Sequence, residues 1–431
     1  LGIDPAKDVL APTAAIARDV TFAIPTPERT CAVMMDGTLR CTRPCTANSS
    51  CPEHPGFVTG DPTDASGIVA RTGVWRGTVG GAKVMVCLER PDTLNDSQYY
   101  YLRHRFSIPL AFAGGGTWHE TAPQQRADNA TPAATWTLHM PEGGTMAGTW
   151  SAADGARTVP IELTRVADAG QSMGSGCDGD DNPARRAFNA PRVSMQKLEV
   201  HQVDGYRSVS TLRGLVSMTE LPDSLPHAAQ FNASMRAWFA SSVAGYYECA
   251  FSSSNGPDYN DTSKVEVLSP TWLVVRHNWS GYCGGAHPSA ETDYTTWNLA
   301  TGKTVSPWDF LKSSHWDYLK ETNHCTRAGD CLRRPPRGLS AILTKRFNQD
   351  NQEDEDCAGA IEENIDYLQL HPERNGLVFS TTFPHVIQAC DEDIALPWKT
   401  LAPFLTGKGK AFMREMQAQT SLPATKARTG R

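Results

Sequence analysis

No stretch of this 431-residue sequence is long and apolar enough to cross a membrane as a helix. Apolar runs such as Trp272-Leu273-Val274-Val275 stop far short of the roughly 20 residues that a span requires. That leaves no place for a channel or transporter that crosses with helices. An excess of positive charge is missing as well. Lys+Arg 40 against Asp+Glu 47 gives a net charge of −7, so no global basic field marks a nucleic-acid binder, and no nucleic-acid partner is expected. The third absence is any Cys-x-x-Cys pair. Zinc ribbons and thioredoxin-type sites need that close spacing, so the 12 cysteines are read as disulfides of a protein exported to an oxidising compartment, periplasmic or secreted. The sequence starts at Leu1, and any signal peptide or lipid anchor is expected upstream of it.

Apolar residues make up 40% and charged residues 20%, enough to bury a core, and the length allows two to four domains. The 35 glycines and 29 prolines lean toward turn-rich β structure. The expected fold class is a multidomain α+β protein. Residues 1–70 form a Cys-rich N-terminal segment, with four cysteines from Cys31 to Cys51. Residues 71–168 form an antiparallel β domain: short aromatic and β-branched segments recur about every dozen residues between Gly-rich turns, as a meander or small barrel requires. Residues 169–192 read as a linker. Residues 193–406 read as an α/β domain with an antiparallel or mixed sheet packed by helices. There Phe231, Met235, Trp238 and Phe239 fall on one helical stripe within a predicted helix over 224–240, and strands are predicted at 194–202, 206–216, 264–268 and 271–279. Residues 407–431 carry six basic side chains against Glu415, with no apolar period, and read as a mobile tail.

Several motifs dissolve on inspection. Gly170-Gln171-Ser172-Met173-Gly174 has the G-x-S-x-G spacing of a nucleophile elbow, but Gly, Asp and Pro follow where a helix must start. Asp178, Asp180 and Asn182 open like a calcium loop, yet its sixth position is Pro183 and its twelfth is Asn189. Cys41, Cys45, Cys51 and His54 are ligand types that suit Zn²⁺, but their irregular spacing favours a disulfide knot. No metal, cofactor or catalytic residue is expected. The run Tyr99-Tyr100-Tyr101 beside Arg103, His104 and Arg105 reads as alternate packing on both faces of a strand rather than as a ligand platform. Four disulfides are expected: Cys249–Cys283 and Cys357–Cys390, each bracketing paired strands, and the short-range pairs Cys45–Cys51 and Cys325–Cys331.

One constellation is distinctive. Trp279-Ser280-Gly281-Tyr282-Cys283-Gly284-Gly285-Ala286-His287-Pro288 runs a strand into a Gly-Gly corner, where backbone reaches conformations closed to other residues, and Pro288 then holds His287 extended. Trp297-Asn298-Leu299-Ala300-Thr301-Gly302-Lys303 and Trp308-Asp309-Phe310-Leu311 follow. This pattern, with Phe383-Pro384-His385-Val386 and Ala395-Leu396-Pro397-Trp398 further on, resembles the extracytoplasmic domain of RsiV-type lysozyme-sensing anti-sigma factors and PdaC-type peptidoglycan deacetylases. The resemblance covers residues 193–406, and the segment opening Gly73-Val74-Trp75-Arg76-Gly77 looks like a module often found before that domain. No deacetylase metal set and no sigma-binding segment accompany it.

The resemblance implies an exported, non-catalytic protein that binds and inhibits a lysozyme-type muramidase, as inhibitor or immunity protein. Tyr282, Gly284, Gly285 and His287 are then the contact corner. His287 is of the type that moves protons near neutral pH, but no Ser, Cys or carboxylate beside it completes a catalytic set. A rival contact is the loop from Cys325 to Cys331. Its Arg327 offers a planar fork of donors to the two carboxylates of a muramidase cleft, and Asp330 would hydrogen-bond the rim. Two other classes stay open: a wall-glycan-binding or scaffold module, and a cell-wall enzyme with an acid/base set not visible in the sequence.

Overall fold

The computed structural model describes residues 20–25, 30–34, 39–41, 70–89, 97–121, 132–168, 183–253, 256–284, 287–317, 331–351, 357 and 359–418. The chain divides into two compact units, Leu1–Pro191 and Arg192–Arg431. It is an α+β protein with antiparallel and mixed sheets.

The first unit opens with a three-stranded antiparallel sheet, β1 (Val20–Pro25), β2 (Thr30–Met34) and β3 (Leu39–Cys41). Eight strands then close into a barrel: β4 (Gly73–Val79), β5 (Ala82–Leu88), β6 (Ser97–Tyr101), β7 (Ile108–Gly114), β8 (Thr117–Glu120), β9 (Ala134–Leu138), β10 (Thr145–Ala152) and β11 (Thr158–Ala167). Each pairs antiparallel with the next, and β11 returns to β4. Gly80 and Gly81, at φ +57° and +83°, make the two-residue turn between β4 and β5 that matches the twist of the flanking strands. The interior is filled by side chains, among them Trp75, Trp118, Trp136, Val86 and Leu163. Glu120 enters this apolar filling because it is satisfied there. Its Oε1 accepts hydrogen bonds from Tyr99 Oη at 2.7 Å, Trp136 Nε1 at 2.8 Å and Trp150 Nε1 at 2.5 Å. Burial and the neighbouring carboxylate push the Tyr99 hydroxyl well above its ordinary pKa. Tyr100 points the other way. Its ring packs edge-on to Phe188 at 5.1 Å, and its hydroxyl donates to the Phe188 carbonyl at 2.6 Å. The tyrosine run therefore packs on both faces of β6, and its first two rings are buried.

Phe188 belongs to a helix, α1 (Pro183–Ser194), which corrects two expectations. Residues 183–192 are not linker, and no strand begins at 194; β12 covers Glu199–Val203. Residues 169–182, with both the elbow-like and the calcium-like motifs, lie outside the described residues.

The second unit is built on a seven-stranded mixed sheet: β12, β13 (Tyr206–Thr211), β14 (Val216–Glu220), β15 (Asp258–Leu268), β16 (Trp272–Tyr282), β17 (Ser289–Asn298) and β18 (Lys303–Thr304) in that order. Every pairing is antiparallel except β14 with β15. A 25-residue helix, α2 (Ala228–Ser252), covers one face, burying Phe231, Met235, Phe239, Val243 and Tyr247. Asn232 fastens it: its amide accepts the Leu221 N–H at 2.8 Å and donates to the Leu221 carbonyl at 2.9 Å. The rest of the unit holds the pair β19 (Ser314–Asp317) and β20 (Cys331–Arg334), helix α3 (Arg337–Asp350), α4 (Ala360–Asn364), the sheet β21 (Gln369–Glu373), β22 (Gly376–Ser380) and β23 (Asp393–Pro397), then α5 (Trp398–Leu401). Leu343, Phe347, Ile361, Phe379 and Leu401 make its core.

The expected mobile tail is a helix over its first part. In α6 (Gly407–Ala418) Phe412 and Met416 are buried, and the Phe412 ring stacks on Phe310 at 4.3 Å. Thr406 caps the helix, its Oγ1 accepting the Gly409 N–H at 3.1 Å. Gly409 is required by closeness: a Cβ there would meet the Phe310 carbonyl oxygen at 2.1 Å.

Candidate functional site

The long hairpin β16–β17 carries both features of interest. Alternation along a strand sends every second side chain to one face, and the ladder then lines these up in rows across three strands. Asp261 of β15 pairs with Trp279, which pairs with Glu291; Ser263 pairs with His277, which pairs with Asp293. On the α2 side these rows and Trp297 meet Ser234, Met235 and Trp238, leaving an open cleft of about 380 Å³. Its lining holds three tryptophans, one histidine and three carboxylates, and no lysine or arginine. Trp238 stands edge-on to the His277 ring at 4.9 Å, Trp297 to Phe231 at 5.5 Å, and Trp279 to Tyr259 at 6.4 Å, so each indole is braced by an aromatic neighbour.

The electrostatics follow from burial. Asp261 is buried, with Tyr259 Oη donating to its Oδ2 at 3.3 Å, and loss of water pushes its carboxyl above the ordinary carboxylate range. Burial pushes His277 down and favours its neutral imidazole, while Asp293 pulls the other way. Its Nδ1 is buried and has no hydrogen-bond partner. Glu291 and Asp293 are exposed at the mouth. The arrangement attracts positive charge and offers acceptors. Among the described residues no group of three or more His, Cys, Asp or Glu is placed to hold a metal ion.

The corner of the same hairpin begins two ladder steps beyond the Trp279–Glu291 pair, at Gly281 and Ser289. Tyr282 ends β16 half-buried, and Cys283 is bonded to Cys249 in the last turns of α2, Cα to Cα 4.4 Å. Gly284 is exposed at φ +99°, and a Cβ there would sit 3.0 Å from the Ser252 carbonyl oxygen, so glycine is demanded by conformation and by space. His287 is exposed, its Nδ1 3.0 Å from the Pro288 carbonyl oxygen. Gly285 lies outside the described residues, as do Arg327, Asp330, Cys325, Cys45 and Cys51, and Cys331 is placed only as the first residue of β20. Cys357 and Cys390 are bonded, and Cys87, buried in β5, is disulfide-bonded too. These bonds accord with an oxidising compartment.

On the opposite face of the sheet, Arg276 and Tyr294 border a second cleft of about 390 Å³ with Asp391, Glu392 and Asp393. Those acids are engaged: Asp391 accepts the Phe383 N–H, Glu392 the Asn351 amide and Asp393 the Ser380 hydroxyl. The acid–tryptophan cleft was missed in the sequence, where Asp261, His277 and Asp293 look unrelated. The signal was the alternation His277-x-Trp279 and Glu291-x-Asp293-x-Thr295-x-Trp297, which becomes a site only once the register is known.

No family model matches the chain, and no curated protein matches it. Solved structures resemble it in part, among them two of the DUF3298 family. A member of the DUF3298 family from Bacteroides fragilis shares 15% identity at a TM-score of 0.30, over 52% of this chain and 98% of that one. A DUF3298 family protein from Pseudomonas aeruginosa shares 13% at a TM-score of 0.30, over 49% of this chain and 93% of that one. At these scores neither neighbour assigns an activity.

Proposed function

We propose that this chain is a periplasmic or secreted binding protein, without catalysis of its own, that holds a lysozyme-type peptidoglycan hydrolase through the Tyr282–His287 corner and blocks it. The observation that supports this reading is the covalent tether at the base of the corner. Cys283 is tied covalently to α2, Gly284 is fitted under the Ser252 carbonyl, and His287 stands exposed beyond them. A loop held at its base loses less freedom on docking, which lowers the cost of association. Charge works in the same direction, since a chain at −7 steers a basic hydrolase toward it.

The test is inhibition of a basic lysozyme-type muramidase acting on a cell-wall suspension. The whole chain is expected to inhibit, and His287→Ala to weaken inhibition by about tenfold or more. A chain that neither captures nor inhibits such a muramidase overturns the proposal. Inhibition unchanged in His287→Ala removes the corner from it.

A further inference from the structure

We propose that the cleft between α2 and strands β15–β17 is a binding site for a small organic cation, an alkylammonium with an aliphatic body. The inference does not depend on the hydrolase reading. Size sets the first bound: about 380 Å³ lies within the range of sites that enclose small ligands. The lining then selects by chemistry. The exposed Glu291 and Asp293, when ionised, accept hydrogen bonds and donate none, Asp261 lies deeper, and no basic side chain lines the cleft to neutralise them. An ammonium is the complement, because it has donors and no acceptor. A neutral sugar gains nothing from the net negative charge of this lining.

The walls agree with that choice. Trp238, Trp279 and Trp297 are all half-buried, each meets another aromatic ring edge-on, and all three line the open space. The negative face of an indole attracts a cation, and its apolar area covers an aliphatic stem. His277 is a half-buried member of the same lining, and it is the one histidine there. The one arginine of α2 near this face, Arg236, is engaged with Glu220 at 2.7 Å and takes no part in the lining.

The test titrates the full chain calorimetrically with 1,5-diaminopentane, with 1,5-pentanediol as the uncharged analogue and N-acetylglucosamine as a neutral sugar, all at one ionic strength. The diamine is expected to bind saturably and at least about tenfold more tightly than the diol. Exchanging the two exposed mouth carboxylates, Glu291→Gln with Asp293→Asn, is expected to weaken the diamine by about tenfold, whereas Glu362→Gln on α4 leaves it unchanged. A second variant, Ser234→Lys on the exposed side of α2, places a resident ammonium at the cleft and is expected to abolish diamine binding while thermal unfolding stays cooperative. The proposal is overturned by equal affinity for diol and diamine, by tighter binding of the sugar, by no saturable heat with the diamine, or by a folded Glu291→Gln/Asp293→Asn protein that binds as the original does.

Discussion

The imidazole of His371 lies flat on the ring of Tyr294, centroids 3.6 Å apart and planes 7° from parallel. The stack fastens β21 to β17 and keeps His371 only 3% exposed. Burial holds its pKa down to about 4 from the ordinary 6.5, although Asp393 and Glu266 pull the other way.

The first prediction is a pH dependence of stability. The fold favours the neutral imidazole, while the unfolded chain takes up a proton near pH 6.5, so more protons are bound unfolded between pH 6.5 and about 4. The contribution is complete above 6.5 and is lost as the pH falls toward 4, a change of about 3 kcal/mol at most. Urea unfolding across this window should show the loss, and His371→Phe, which keeps a ring against Tyr294, should flatten it. A variant with the original slope places the acid sensitivity elsewhere.

Phe412 makes the second. It stacks on Phe310, meets Trp272 edge-on at 4.6 Å and stands 5.9 Å from Trp398, and the Trp272 indole N–H reaches Glu415 at 2.9 Å. Phe412→Ala should cost about 3–5 kcal/mol by opening a cavity among these rings. Denaturant titration reads it, and a loss below about 1 kcal/mol contradicts the packing of α6.

Glu120 carries the third. Truncation to alanine strands Tyr99 Oη and Trp136 Nε1 inside the barrel, each a buried donor worth about 1–3 kcal/mol, and removes the acceptor of the half-buried Trp150 Nε1. Glu120→Gln keeps an acceptor and should cost much less. The tryptophan fluorescence of the barrel during unfolding separates the two variants, and equal losses would mean that volume, not hydrogen bonding, is what matters there.

The fourth concerns Cys249–Cys283, a bond across 34 positions. Replacing both residues by serine should lower stability by roughly 4 kcal/mol on the chain-entropy account. The same variant should lose muramidase inhibition out of proportion to that loss under conditions where it remains folded, since the base of the corner is no longer tied to α2. Full inhibition by the folded serine variant would show that the corner needs no such support.

Legibility varied with how local the signal was. The stripe Phe231, Met235, Trp238, Phe239 announced α2, because four positions of one helix carry the period, and the barrel strands showed through their alternation. Strand β7 did not: Pro109 interrupts it, and a proline ordinarily demotes a strand. Helix α1 was hidden because its buried stripe is Ala184, Phe188 and Arg192, and an arginine with 0% exposure breaks an apolar period. Helix α6 was hidden by Gly407, Gly409 and its lysines, which read as tail until Phe412 and Met416 are seen to share a face. The cleft was the least legible, since its rows exist only across three strands whose register no single segment specifies.

The pairing of β4 with β11 sets Val74 opposite Ala167, so the chain enters and leaves the barrel at neighbouring points on one rim. A module with adjoining ends can be spliced into a host chain, or re-cut at a hairpin such as Gly80-Gly81 and rejoined where its ends meet, while every rung of its ladder stays in place.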